Sequence, residues 1–174
     1  MSDDLFNLIY NKSLDLLSRR EHSRKEIKDK LRLRFDNNDL IQKVVSKLET
    51  NNLINEQRYA EAYTRNRKRK GFGPVRINHE LLSKGIKDSI SNQIISEEGP
   101  WNEAAKKAFD KKFKNGPSTE IKETLKQKNF LQNRGFTHKE IESVFTNGML
   151  WFIAMSYEVL ARKYRPTNFE EVVG

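Results

Sequence analysis

From Arg65 to Lys70 the chain reads RNRKRK, five cationic side chains in six positions, and runs directly into Gly71-Phe72-Gly73-Pro74. Guanidinium and ammonium groups at this density suit a row of phosphates or an acidic protein face. On a helix they fall within less than two turns, so they surround a helix end instead of forming one stripe. Cations at a helix C-terminus also complement the macrodipole, by about 0.3–1 kcal/mol each when exposed. That effect accounts for one or two of the five. The mutual repulsion of the others asks for screening, which an anionic partner would supply. Arg76 follows on the next helix start, where free N–H groups also favour anions. Gly71 and Gly73 flank Phe72 and leave the backbone room to approach a partner. A solvated helix end is the competing reading, and a nuclear-localisation tag a third.

Other basic groups lie at Arg19, Arg20 and Arg24, and at Lys106, Lys107, Lys111, Lys112 and Lys114. The whole chain carries 33 Lys and Arg against 24 Asp and Glu, a formal charge of +9. Positive charge spread in this way suits a long anionic partner, a nucleic-acid strand or a filament groove, better than a compact ligand. Tyr59 and Tyr63 could stack on bases, although mutual packing at i,i+4 spacing also explains them.

Catalytic chemistry is poorly provided for. No phosphate-binding glycine loop, HExxH or GxSxG motif occurs. His22, His79 and His138 are far apart, and the absence of cysteine removes disulfides, thiolate metal sites and a thiol nucleophile. The carboxylate pairs Glu97-Glu98 and Glu170-Glu171 are sequence neighbours, which diverge on a helix. Neither a metal nor a cofactor is expected, nor an enzyme. The N-terminal MSDDLFNLIY is acidic before it is apolar, unlike a signal peptide. The longest apolar run, MLWFIAM, is far short of the ~20 residues that span a bilayer. A soluble, cytoplasmic protein without membrane contact is expected.

The elements that would carry these groups repeat along the chain. His22–Leu48, Phe72–Glu97 and Phe130–Asn147 each hold an amphipathic segment, a basic joint, one apolar residue and a second short amphipathic segment. The joint residues Phe35, Ile86 and Phe136 recur at about 50 residues, the mark of a helical repeat array. Leu81 and Leu131 each sit five before their joint residue, whereas Leu31 sits four before Phe35. The first joint thus lacks the position filled by Gly85 and Gly135 elsewhere. Ser23…Glu26 and Thr137…Glu140 have capping-box form, and Pro74 suits a first helical turn. Nine helices are expected, over about 4–19, 23–33, 38–51, 55–69, 74–84, 88–97, 101–113, 118–133 and 138–146, with no strand.

The segments LDLLSRREHSRKEIKDKL, LINEQRYAEAYTRNRKRKGFGPVRINHELLSKGI and NRGFTHKEIESVF resemble the RecX family of bacterial recombination regulators. The resemblance runs from about Leu5 to Asn147. It implies an all-α fold of three tandem three-helix repeats (1–54, 55–98 and 99–147) forming an elongated, curved array. It implies binding to the RecA–DNA filament and to DNA, negative control of RecA in recombination, repair and the SOS response, and no enzymatic activity. A monomer is expected. Residues matching the family's basic motifs are Arg19, Arg20, Arg24, Arg58, Arg65, Arg67, Arg69, Lys70, Arg76 and Lys84. Lys68 joins them from the basic run, and Gly71, Gly73 and Pro74 match the turn. A helical nucleic-acid-binding module without a specific protein partner is the alternative.

After Asn147 the composition changes. Met155–Gly174 resembles the N-terminus of the DNA polymerase III tau/gamma subunit, stopping before any nucleotide-binding loop. Residues 148–174 are read as a C-terminal extension, non-native or disordered. The alternative is an extra helix packed through Leu150, Trp151, Phe152 and Ile153.

Overall fold

A computed structural model describes residues 2–146. The element order is α1 (Ser2–Arg19), α2 (Arg24–Arg32), α3 (Asn38–Thr50), α4 (Glu56–Arg69), α5 (Pro74–Ser83), α6 (Asp88–Glu98), α7 (Trp101–Lys112) and α8 (Ile121–Asn133). A ninth helix, α9, covers 138–146. Among the described residues there is no strand. The expected packing or disorder of 148–174 lies outside the described residues.

Local chemistry sets the boundaries. The Ser23 hydroxyl accepts the Glu26 amide at 3.1 Å, and Asn37 and Asn55 accept the amides of Leu40 and Arg58. Each satisfies one otherwise orphaned N–H of a first turn. At Thr137 the reciprocal box is complete: Glu140 N–H donates to the hydroxyl and the Thr137 amide donates to the Glu140 carboxylate. The eighth helix starts at Ile121 rather than at the expected 118. The Gln127 side chain accepts the Ser118 amide and donates to the Gly116 carbonyl, holding that stretch as a loop.

Apolar side chains gather in three successive cores. Ile9, Ile27, Leu31, Ile41, Val44, Val45, Leu48 and Ile54 form the first. Tyr59, Ala60, Ile77, Leu81, Ile86 and Ile94 form the second. Ala105, Phe109, Leu131, Phe136, Ile141 and Val144 belong to the third. Trp101 touches both the second and third cores. The repeat-equivalent Leu31, Leu81 and Leu131 are all fully buried. Gly85 and Gly135 adopt φ of 81° and 85°, which lets the Ile86 and Phe136 amides return to the carbonyls of Leu81 and Leu131. In the first repeat Arg34 and Phe35 both donate to the Leu31 carbonyl, a tighter ending that needs no glycine. Phe35 accordingly stays half-buried where Ile86 and Phe136 are buried.

The second helix of each repeat joins the next in one geometry. At the first junction the Ser23 hydroxyl, at the start of α2, donates to the Lys84 carbonyl that ends α5 (2.8 Å). At the second, the Gly73 amide at the start of α5 donates to the Arg134 carbonyl that ends α8 (2.8 Å), and Val75 N–H donates to Gly135 (3.0 Å). Thus α8, α5 and α2 are linked end to start.

Candidate functional site

The basic run forms the last turns of α4, and its five cations divide into two groups. The Arg67 guanidinium donates to both carboxylate oxygens of Glu80, with Nε at 2.6 Å, and stacks 3.8 Å from the Phe72 ring centroid. Lys68 donates to the Glu98 carbonyl at 2.5 Å, lies 3.6 Å from its carboxylate, and sits over Trp101. Both side chains are about one-fifth exposed. Arg65 makes only a 3.8 Å contact with Glu61 across one exposed helical turn. Arg69 and Lys70 are exposed, and their side chains have no hydrogen-bond or ion-pair partner among the described residues. The screening expected from an outside anion is therefore supplied internally for Arg67 and Lys68, by carboxylates on α5 and α6.

The turn differs from expectation in the same way. Gly73 and Pro74 are buried. A Cβ on Gly73 would fall 2.3 Å from the Gly135 carbonyl oxygen, and one on Gly135 would fall 2.3 Å from Arg76 Cβ. The close backbone approach that these glycines permit is made by the third repeat, not by a partner. Gly71, at φ 80°, ends α4 and faces Ala108 and Arg134. The Phe72 ring is surrounded by Arg67, Arg76 and Arg134, at 3.8, 4.6 and 5.3 Å.

Two carboxylates, Glu80 and Glu26, hold half of the remaining basic-motif residues, and the others pair elsewhere. Glu80 accepts from Arg67, from Arg76 at 3.1 Å and from the Tyr63 hydroxyl at 3.0 Å. Burial acts to raise its pKa, but the hydrogen bonds from Arg67, Arg76 and Tyr63 outweigh burial and hold it below the ordinary carboxylate value. Burial and the Glu80 hydrogen bond push the Tyr63 hydroxyl up to about 12. At the other junction Glu26 accepts from Lys84 at 2.7 Å and Arg20 at 2.9 Å. Burial again acts upward, and those two bonds bring the Glu26 carboxyl down to about 2. Arg58 donates to Glu21 at 2.5 Å, linking α4 to the α1–α2 joint. Arg24 pairs with Glu49 at 3.1 Å and Arg19 with Asp15 at 3.2 Å. His22 is buried with a ring nitrogen 2.9 Å from the Arg20 carbonyl, and burial lowers its pKa.

Two of the weakly held or unpaired α4 cations, Arg65 and Arg69, share one place with the Glu98-paired Lys68 and with α7. Arg65, Lys68 and Arg69 of α4 face Lys107 of α7 across a cleft of about 740 Å³, floored by Ala62, Pro100 and Ala104. Glu98 and Glu103 also line it. Lys107 has no side-chain partner among the described residues, whereas Lys106 pairs with Asp110 at 3.0 Å. Lys70 lies beyond the cleft at the end of α4, while Arg19, Arg20, Arg24, Arg58 and Lys84 belong to the first repeat and its junction. Sequence reasoning overlooked Glu80 and Arg134, and read Glu26 as a capping-box residue where its carboxylate binds Lys84 and Arg20. For Glu80 the i,i+4 spacing from Arg76 was the available signal. Among the described residues no group of His, Asp and Glu could hold a metal ion. Nor is any helix there long and apolar enough to cross a membrane.

Comparison with known proteins gives one answer. The family profiles "RecX, first three-helix domain", "RecX, second three-helix domain" and "RecX, third three-helix domain" match residues 10–48, 55–94 and 102–145. Regulatory protein RecX of Halorhodospira halophila is 35% identical over 132 residues, 75% of this chain and 82% of its own. Its counterpart in Pseudomonas savastanoi pv. phaseolicola is 36% identical over 125 residues, 71% of this chain and 81% of its own. The crystal structure of RecX from Lactobacillus salivarius superposes with a TM-score of 0.70 at 26% identity, covering 86% of this chain and 99% of that one. A second crystal structure, of regulatory protein RecX, shares the fold with a TM-score of 0.69 at 23% identity, covering 83% and 74%.

Proposed function

The chain belongs to the RecX family of regulatory proteins, and from that premise we propose that it binds the RecA–DNA filament and lowers RecA's ATPase, strand-exchange and coprotease activities. It acts in recombination and DNA repair as a cytoplasmic monomer with no catalysis of its own. The observation that carries the proposal is the division of labour among the cations. Arg67, Arg76, Arg58 and Lys84 are engaged by carboxylates that join helices or repeats. They hold the array in shape. Arg69, Lys70 and Lys107, with Arg65 weakly held, keep their charge available on the second and third repeats.

An array of three units, taken as 1–54, 55–98 and 99–147, can lie along a filament groove and touch several RecA subunits. Its free cations replace counterions on the filament's DNA or meet acidic RecA surface. Helices laid across the groove then hinder the subunit motion that couples ATP hydrolysis to strand exchange.

The test is binding to RecA–DNA filament and to naked single-stranded DNA across a salt series. Tighter binding to filament supports the proposal. Equal affinity for the two would favour a nucleic-acid-binding module without a protein partner.

A further inference from the structure

The cleft between α4 and α7 carries its own anion. Four cations line it, Arg65, Lys68, Arg69 and Lys107, against two carboxylates, Glu98 and Glu103. Lys68 is fixed by its bond to the Glu98 carbonyl (2.5 Å) and by the Trp101 ring. The Glu98 carboxylate stands 3.6 Å away, beyond hydrogen-bond reach. It is a charge contact that can break while the ammonium stays where it is. The walls are fixed as well. Arg134 donates to the Lys70 and Gly71 carbonyls at the end of α4, at 3.0 and 3.2 Å. Trp101, at the start of α7, packs against the cores of both adjoining repeats. The cleft is therefore preformed, and filling it costs little ordering.

We propose that this cleft seats the phosphodiester backbone of a single nucleic-acid strand, and that the Glu98 carboxylate is an internal competitor which an entering phosphate displaces from Lys68. The proposal rests on the functional reading above and names the partner and the regulation of that site. Three observations favour a strand. Arg65 and Arg69 both line the cleft and lie four residues apart on α4, an advance of about 6 Å, close to the separation of successive phosphates. The volume of about 740 Å³ lies within the ~300–1,000 Å³ of small-ligand sites; it admits a short piece of one strand and excludes the body of a duplex. Between the charges the lining is small, Ala62, Pro100 and Ala104, which suits a sugar–phosphate backbone better than the large apolar anchors of a peptide. With four cations against two carboxylates, the cleft attracts an anion while Glu98 and Glu103 hold its affinity down.

The test is fluorescence anisotropy of dye-labelled oligo(dT) with the intact chain and no RecA, at low salt. Glu98 ends α6, where a negative charge is unfavourable, so Glu98→Gln keeps the fold. It also keeps the backbone carbonyl that holds Lys68. It should tighten binding roughly three- to tenfold, the effect of one unit charge removed from beside a phosphate, and the gain should shrink as salt rises. In a background of Arg65→Gln with Lys107→Gln the gain should largely vanish. Asp36→Asn, which removes the same charge from an exposed site in the first repeat, should give no comparable gain. Binding unchanged or weakened by Glu98→Gln would overturn the proposal. So would an equal gain from Asp36→Asn, which would make net charge the cause. A gain for duplex DNA or for oligoglutamate as large as for oligo(dT) would also overturn it, by making a duplex or an acidic peptide the occupant. Preference for filament over naked strand is a separate readout, so the functional reading and the cleft assignment fail independently.

Discussion

Gly73→Ala separates a local from a tertiary explanation of the turn, because the two predict opposite signs. Gly73 sits at φ −89°, ψ 169°, an extended conformation open to any residue. On backbone grounds alone, alanine would stabilise by about 0.4–1 kcal/mol, through reduced freedom of the unfolded chain. The structure predicts the reverse. The new Cβ would lie 2.3 Å from the Gly135 oxygen and 2.4 Å from the Phe136 nitrogen, both backbone atoms that cannot rotate away. The third repeat must back off, putting the Gly73–Arg134 and Val75–Gly135 hydrogen bonds at risk. At about 0.5–1.5 kcal/mol net for each bond and about 1–3 kcal/mol for overpacking, the loss outweighs the gain of about 0.4–1 kcal/mol by about 1–5 kcal/mol. Urea unfolding followed by circular dichroism reads this directly, and hydrogen exchange at the Val75 amide shows whether the junction has opened. A variant as stable as the wild type, with Val75 still protected, would refute the tertiary account.

The two groups of cations should respond differently to substitution. Arg67→Ala leaves a half-buried Glu80 with only Arg76 and Tyr63 as partners and removes the nearest cation over Phe72, so it should lower the unfolding midpoint. Arg69→Ala with Lys70→Ala should leave the midpoint near wild type. If both contact phosphates, that pair should flatten the salt dependence of single-strand binding by about 1.4 in the log–log slope, at ~0.7 per contact. Acid should loosen the first junction. Because Glu26 has a folded pKa of about 2, below its ordinary value, its contribution is present above about pH 4.5 and is lost as pH falls toward 2. Glu26→Gln should therefore narrow its gap from wild type over that window in acid-unfolding curves. Leu81→Ala, at a fully buried position, should cost about 2–5 kcal/mol, read by the same unfolding measurement.

The fold was legible because its signals are local. Buried leucines recur at the repeat period, joint glycines mark left-handed turns, and capping residues mark helix starts, so eight of the nine expected helices were placed within about two residues at each end. The eighth began three residues late because Gln127 binds the preceding loop from inside the helix, an interaction without a sequence pattern. The candidate site was only half legible. A run of cations is visible in one dimension, but its neutralisation is not. Glu80 lies 13 residues beyond Arg67 and Glu98 lies 30 beyond Lys68, distances closed only by packing α4 on α5 and α6. Likewise Gly73 and Gly135 both read as turn glycines, and nothing local to either reveals that they face each other.

The most direct test of the functional account is the DNA-dependent ATPase of RecA, titrated with this protein at fixed RecA and excess DNA. The account predicts inhibition well below one molecule per RecA subunit, weakened by Arg69→Ala with Lys70→Ala. Inhibition appearing only when the protein saturates the DNA would contradict it, because competition for phosphates would then suffice.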